Sequence, residues 1–534
     1  MSVVLDLADI QGNILEAYPK QGYFKGRTIL LNIGGDSKTS RAANGRHFVT
    51  RLLPRVTTAL AGASVGDAVQ PPAIAVNIAF TFYGLLMLGV PTRTLRGLPD
   101  EFIDGMAARA RMLGDDFSGD HWQEKWDTVW QNKGKPPEAA VHILIVLNQH
   151  YTASAADLDA TTEAIVALAA ENGVSVLAGH NPPGKEQTAY QDISALFDAN
   201  GRPTPKEHFG FSDGISDPVF EGQFPADRLQ SAAIGQGAVD GNGVWRALAA
   251  GEFLLGYPDE AQEIPGAAMP LAFSRNGTFM AYRKLHENVG AWNKFIGEQA
   301  EKFAAFRGVP VDVARETLLA KMAGRWSDGV PLMKAKDYAE WQAFNEKFPE
   351  GSPERERELV DFTYRKDIDG EQCPMTSHTR RVNTRDALDP WVQTDPKQAS
   401  GSVLNNRRRI LRRGLPYGSS GPEATDDGDH GIVMLVVCSS LARQFEFVQQ
   451  QWIHYGLDAN AGNDTCPIVG NHSQGDARNG PKAKFVVPSE QDSGKPPYIA
   501  EGLPQFVETR GGEYFFVPSL TALRMIGMGT VDPT

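Results

Sequence analysis

The chain has 534 residues, 41% hydrophobic and 22% charged, with 52 basic against 65 acidic side chains and a formal net charge of −13. That length holds more than one core and can enclose a cofactor, and the composition excludes wholesale disorder. The negative charge opposes phosphate backbones and anionic lipid, so neither nucleic acid nor a membrane is an expected partner.

The N-terminal MSVVLDLADIQGN carries no Lys or Arg before Lys20, unlike a secretory signal. Cys373, Cys438 and Cys466 form no C-x-x-C pair, which argues against a disulfide framework or structural zinc and for a reducing compartment. A cytoplasmic location is therefore expected. In chain order, RTILLNIGG (27–35) reads as a strand and GRHFVTRLLPRVTTALAGA (45–63) as a proline-interrupted helix. PAIAVNIAFTFYG (72–84) and AAVHILIVLN (139–148) read as strands, with a helical pattern over 96–113 between them. The apolar stretch 73–90 is broken by polar and glycine residues, and reads as a core strand entering a turn rather than a membrane span. SAADLDATTEAIVALAAENG (154–173) places Leu158, Ile165 and Leu168 on one helical face, and the strand VSVLAGH follows.

The second half repeats this grammar. GEFLLGY (251–257) and GTFMAYRKL (277–285) are expected strands and 287–306 an amphipathic helix; the strand GIVMLVVCSS (431–440) and the helix ARQFEFVQQQWIHY (442–455) come later. There is no G-x-G-x-x-G turn and no P-loop, so a ferredoxin-like α+β sandwich fits better than a nucleotide-binding fold. The turn-rich DANGRPTPKEHFGFSDG (198–214) marks the expected junction, giving an N-terminal domain over 1–200 and a C-terminal domain over 201–534. Tracts 386–406 and 417–431 read as surface insertions.

The segment HFGFSDGISDPVF (208–220) contains a G-x-S-x-G pattern. A nucleophile elbow at Ser212 requires a strand before it and a helix after it. The flank before is rich in prolines and charges, and Pro218 falls inside the would-be helix, so Ser212 reads as a turn residue and a serine hydrolase as a poor reading. In CPMTSHTRRVNTRD (373–386), His378 has no nearby Cys or carboxylate cluster, which suits a haem iron better than zinc. Arg380, Arg381 and Arg385 could hold haem propionates through forked hydrogen bonds. In RRRILRRGLPYG (407–418), basic and apolar residues alternate as in a strand, so that Arg412 or its neighbour points inward toward an anion.

Taken in order, DIQGNIL (9–15), GFSDG, CPMTSHTRRVN and ILRRGLPYG resemble the dye-decolorizing peroxidase family, in particular its longer, fungal-like members; AKMAGRWSDGVPL (320–332) and QFEFVQQQW (444–452) look like family segments too. The resemblance implies two ferredoxin-like domains with haem b in the C-terminal one, hydrogen peroxide as oxidant and a bulky aromatic or dye as reducing substrate. It implies Asp213 as distal acid–base residue, His378 as iron ligand, Arg412, preferred over Arg413, as distal arginine, and Arg380 near the propionates. Glu446 is the candidate acceptor for the second nitrogen of His378. Gly414 stands where some branches place a distal asparagine. A haem-binding or iron-recovery protein without peroxidase turnover is the alternative reading.

Overall fold

The computed structural model describes residues 3–61, 71–115, 125–131, 135–265, 268–391, 395–421, 423–472, 483–489 and 494–531. Residues 62–63 of the expected proline-interrupted helix, and 392–394 and 422 of the two expected insertions, lie outside this set. The first half contains β1 (Tyr23–Ile33), α1 (Lys38–Leu52), β2 (Ile74–Phe80), β3 (Ile143–His150), α2 (Ala155–Glu171), β4 (Val174–Val176) and β5 (Gln191–Ser194). A tight 3-10 turn, Leu53–Arg55, follows directly on α1, with Pro54 as its second residue, where a missing amide proton costs no helical bond. The apolar stretch from 73 is β2 followed by a short helix, Phe82–Met87, whose entry is set by the Thr81 hydroxyl accepting from the Gly84 amide. Among the described residues no helix is long and apolar enough to cross a membrane.

The second half supplies β6 (Thr278–Glu287), α3 (Val289–Arg307), α4 (Val311–Ala323), α5 (His378–Val382), β7 (Leu411–Arg412), β8 (Leu415–Tyr417), β9 (Gly431–Cys438), β10 (Val507–Val517) and α6 (Leu520–Met528). Two segments depart from expectation. GEFLLGY forms tight turns, not a strand: Phe253, Leu254 and Leu255 are all fully buried, so burial rather than sheet pairing explains their apolar character. The stretch Leu441–Ile453 winds as a wide π-type helix with one α-type residue at Phe447, a rare form concentrated at functional sites.

These ten strands join in one antiparallel sheet ordered β8-β9-β6-β10-β2-β3-β1-β4, with β5 beside β1 and β7 beside β9; two small hairpins, Ala238–Val239 with Trp245–Arg246 and Lys484–Val487 with Tyr498–Glu501, stand apart from it among the described residues. Each half is a ferredoxin-like unit. In the first unit the four strands lie in the order second, third, first, fourth (β2-β3-β1-β4); in the other, β8-β9-β6-β10 repeats that order. The units meet where β10 pairs with β2 at Phe516 and Phe80, and α6 returns to pack on α1. Successive strand residues face opposite sides. Ile29, Ile78 and Ile145 lie in register on one face beneath α1 and α2, whereas Leu30, Leu144, Met280 and Leu435 build a second core on the other face.

The segment DIQGNIL acts as structural glue. Gln11 donates to the carbonyls of Ile78 and Pro518, and the Asn13 and Ile14 carbonyls accept from Arg413. The tract 386–406 is more than a surface insertion, because the buried Asp386 accepts from the Tyr364 amide and the Arg365 guanidinium.

Candidate active site

A cavity of about 350 Å3 separates the sheet of the second unit from α5 and the π-helix. Arg283, Leu285 and Glu287 face it from β6 and Ile432 and Met434 from β9, alternate residues as strand geometry requires. Asp213, Arg412 and His378 all line this one space.

Asp213 is carried by the loop Gly210–Gly214, whose two glycines adopt left-handed backbone conformations (φ 95° and 73°). The loop is fixed by the Asp213 amide bonding to the Pro205 carbonyl and the Ser212 amide to Ser327. The Asp213 Oδ1 accepts from Arg412 Nη1 at 2.6 Å and from the Gly214 amide at 2.7 Å. Among the described residues its Oδ2 has no hydrogen-bond partner. The side chains of the pair are 46% and 41% exposed, and the surface they expose is that of the cavity. Burial alone would raise the Asp213 pKa; Arg412, the Gly214 amide and the field of His378 outweigh it and hold the carboxyl below its usual range. Asp213 in turn raises Arg412.

The choice between the two arginines is geometric. Arg412 opens onto the cavity, whereas Arg413 turns the other way into an ion pair with Asp217 at 2.9 Å. At Gly414, a Cβ would lie 1.8 Å from the Val433 carbonyl oxygen, so the backbone excludes any side chain there. Ser212 donates to the Ser327 carbonyl at 3.2 Å in a loop with no strand-to-helix elbow. Glu207 and Glu287, also on the wall, hydrogen-bond to each other, and burial raises both, with Glu287 raised further by the charges of Glu207 and Asp213.

His378 begins α5. Its Nδ1 lies 3.3 Å from Cys466 Sγ, which leaves Nε2 for the cavity. Glu446 therefore does not fill the role expected of it. That carboxylate is buried in a bidentate pair with Arg109 (2.5 and 2.8 Å) and also accepts from the Tyr514 hydroxyl at 2.8 Å. Arg380 is likewise corrected. It is 2% exposed and turned away from the cavity, bound to Asp367 Oδ2 at 2.9 Å, to two carbonyls, and stacked over Tyr364. Helical phase explains this: Val382, four residues after His378, shares its face, and a residue two positions on cannot. Arg381 also faces away, onto the Trp452 and Ile453 carbonyls.

Besides Arg283, paired with Asp115, and Arg412, the arginines that line the cavity are Arg325, Arg385 and Arg409. Burial depresses each of these three to about 10. Among the described residues none of the three has a carboxylate within ion-pair distance; they donate to carbonyls, and Arg385 Nη2 is buried without a partner. Buried guanidinium groups in this state call for an anion. A haem fits what is present: one imidazole nitrogen free toward an apolar-walled cavity, and buried cations matched to two propionates. Of these three, only Arg385 stands out in the sequence as a propionate candidate; Arg325 sits in AKMAGRWSDGVPL with no local pattern, and nothing local marks Cys466 as a partner of His378.

No family model matches the chain. Over 98% of its length it is 27% identical to Peroxidase 2 of Mycetinis scorodonius, covering 88% of that protein. It is 26% identical to a dye-decolorizing peroxidase of Auricularia auricula-judae, over 97% of this chain and 86% of that one. In fold it is similar to a dye-decolorizing peroxidase solved in complex with 2,6-dimethoxyphenol, with a TM-score of 0.69 and 22% identity over 98% of this chain and all of the other.

Proposed function

We propose that this chain, which belongs to the dye-decolorizing peroxidase family in its longer, fungal-like branch, is a haem peroxidase that reduces hydrogen peroxide and oxidises aromatic substrates by one-electron steps. The observation that carries the reading is the Asp213–Arg412 pair at 2.6 Å on the same cavity as His378. Storage or recovery of haem needs no positioned acid–base group, so that alternative leaves the pair without a purpose.

Haem b, when bound, supplies the iron that takes peroxide and the redox capacity for one-electron oxidation. His378 would hold the iron through Nε2, and Arg325, Arg385 and Arg409 would hold the propionates. Asp213 acts through Oδ2, accepting the proton from one oxygen of hydrogen peroxide and returning it to the other, which departs as water. Arg412 does two things: it keeps that carboxylate ionised, and its guanidinium offsets the negative charge that grows as the O–O bond breaks. Gly414 contributes no side chain, so Arg412 is the donor on that flank.

The relative solved with 2,6-dimethoxyphenol supports phenolic aromatics and bulkier dyes as the reducing substrates. We read the chain as dividing near residue 200, with haem in the C-terminal part, and as working in the cytoplasm, a reading favoured by three free buried thiols. The test is a spectrum and an assay. The haem-loaded chain should show a Soret band, bleach a dye only with peroxide, and lose that turnover in Asp213→Asn while keeping the band. Haem-loaded protein with no peroxide-dependent bleaching would leave storage as the better reading.

A further inference from the structure

We infer that Cys466 is the positioning residue for the iron-binding imidazole: its sulfur accepts the Nδ1–H of His378, and a thiol here makes the histidine a weaker electron donor than a carboxylate partner would. The inference rests on the reading of His378 as the haem ligand. It starts from a substitution of chemistry, because the carboxylate expected for this role, Glu446, is tied to Arg109 and Tyr514, and the acceptor found in its place is sulfur at 3.3 Å.

The contact is built. Cys466 is fully buried, its amide donates to the Ile453 carbonyl at 2.7 Å, and its own carbonyl accepts from His472 Nε2 at 2.9 Å and the Gly470 amide at 3.0 Å. A Cβ on Gly470 would lie 2.5 Å from that carbonyl oxygen, so the turn behind Cys466 closes tightly. On the other side, Arg381, one turn after His378 on α5, donates to the Trp452 and Ile453 carbonyls at 2.8 and 3.0 Å. The Ile453 carbonyl thus receives both the Cys466 amide and the Arg381 guanidinium, and this shared anchor fixes the imidazole and the thiol relative to each other. Asp464, the carboxylate nearest in sequence, pairs with Lys484 at 3.9 Å.

A histidine that gives Nε2 to a metal keeps its proton on Nδ1, and the group accepting that proton sets both the ring's orientation and its basicity. A carboxylate draws the proton strongly and makes the ring electron-rich; a sulfur is a weak acceptor. Cys466 therefore orients the ring while leaving it close to neutral imidazole.

The experiment compares haem-loaded native protein with Cys466→Ala, Cys466→Ser and Cys466→Asp. Haem content and the Soret band are read first, then the ferric/ferrous midpoint potential and the iron–histidine stretching band of the reduced protein. The potential should fall and the stretching frequency rise in Cys466→Asp, and both should move the opposite way in Cys466→Ala. Cys466→Ser, which keeps an acceptor and nearly the same volume, should stay nearer the native values, and it carries the test if the alanine variant does not fold. Potentials and bands indistinguishable from native in Ala and Asp variants that hold haem would overturn the inference. A native chain that takes up no haem would overturn the function reading instead.

Discussion

The two ferredoxin-like units share a strand order and differ in what lies between sheet and helices. In the first, Ile29, Ile78 and Ile145 meet Phe48, Leu52 and Ile165 of α1 and α2 in a filled core. In the second, the same face is filled only at the end nearest the first unit, by Phe279, Ala281, Val436 and Phe516. Two residues further along β6 the inward positions become Arg283, Leu285 and Glu287, and the layers part around the cavity. One topology thus yields a stabilising block or a site according to whether the inward positions of a strand are apolar or charged, since a charged group cannot be packed under a helix without a partner.

The sharpest way to break this contrast is at the carboxylate. Asp213→Asn should lower kcat/KM for peroxide by about 10^2 to 10^4-fold, the usual contribution of one general acid–base group, while leaving the unfolding midpoint and haem content close to native; stopped-flow mixing with peroxide reads it. An unaltered rate would remove Asp213 from the site. Next comes Arg380 against Arg385. Arg380→Ala strips the cation from a pair in which both members are nearly fully buried, 2% and 3% exposed, and should cost about 3 kcal/mol in urea unfolding. Arg385→Leu should cost about 1 kcal/mol or less, because the guanidinium it removes has no acid partner, yet should weaken haem binding about tenfold. If Arg380 rather than Arg385 governs haem affinity, the assignment of the propionate end is reversed.

A paired truncation tests the filled and hollow units directly. Ile145→Ala opens a void between Ile29 and Ile78 and should cost about 3 kcal/mol. Met434→Ala only enlarges space already present and should cost about 1 kcal/mol. Equal costs would mean that the cavity wall is packed as tightly as the core. The pH dependence adds a finer comparison. Because Asp213 is held below its ordinary range, its base form should survive acid, and peroxide turnover should fall only as pH drops below the unperturbed aspartate value of about 3.9. Arg412→Leu removes the main charge holding it down, so the acid limb should move to higher pH. His378, Glu207 and Glu287 also act on Asp213 and stay in place in that variant.

Much of this contrast was legible before the structure, and the misses have physical causes. GTFMAYRKL shows alternation, and the order of strands and helices implied two units. Asp213, His378 and Arg412 lie in short motifs. What brings Cys466 to His378, 88 residues apart, is the loop that follows the π-type helix, where the Cys466 amide bonds back to the Ile453 carbonyl, and that loop has no periodicity of its own. Glu446 was proposed from a resemblance of segments, which carries no helical phase; the segment winds as a wide helix and turns that carboxylate onto Arg109 and Tyr514. Arg380 was misplaced although the signal was present: in a helix beginning at His378, position i+2 points away from position i. Arg385 reaches the cavity because the chain leaves the helix and turns through a left-handed residue, φ 49°, which no helical count includes.

The smallest expected effect separates a motif from a site. Ser212→Ala removes a hydroxyl that donates to the Ser327 carbonyl. That carbonyl keeps the Ser212 amide at 3.0 Å and Lys206 Nζ at 3.4 Å, so no buried acceptor is stranded. The loss should stay near 0.5 kcal/mol, within the range of ordinary surface changes. Peroxide turnover should be native, since the Asp213 position depends on its own amide bond to Pro205 and on Arg412, neither of which involves the hydroxyl. Peroxidase kinetics and an ester-cleavage assay on the same variant decide it. Intact peroxidase activity with no esterase activity before or after the change assigns the chemistry of GFSDG to its aspartate, while a collapse of peroxide turnover would mean that Ser212 holds the loop in a way the hydrogen bonds do not account for.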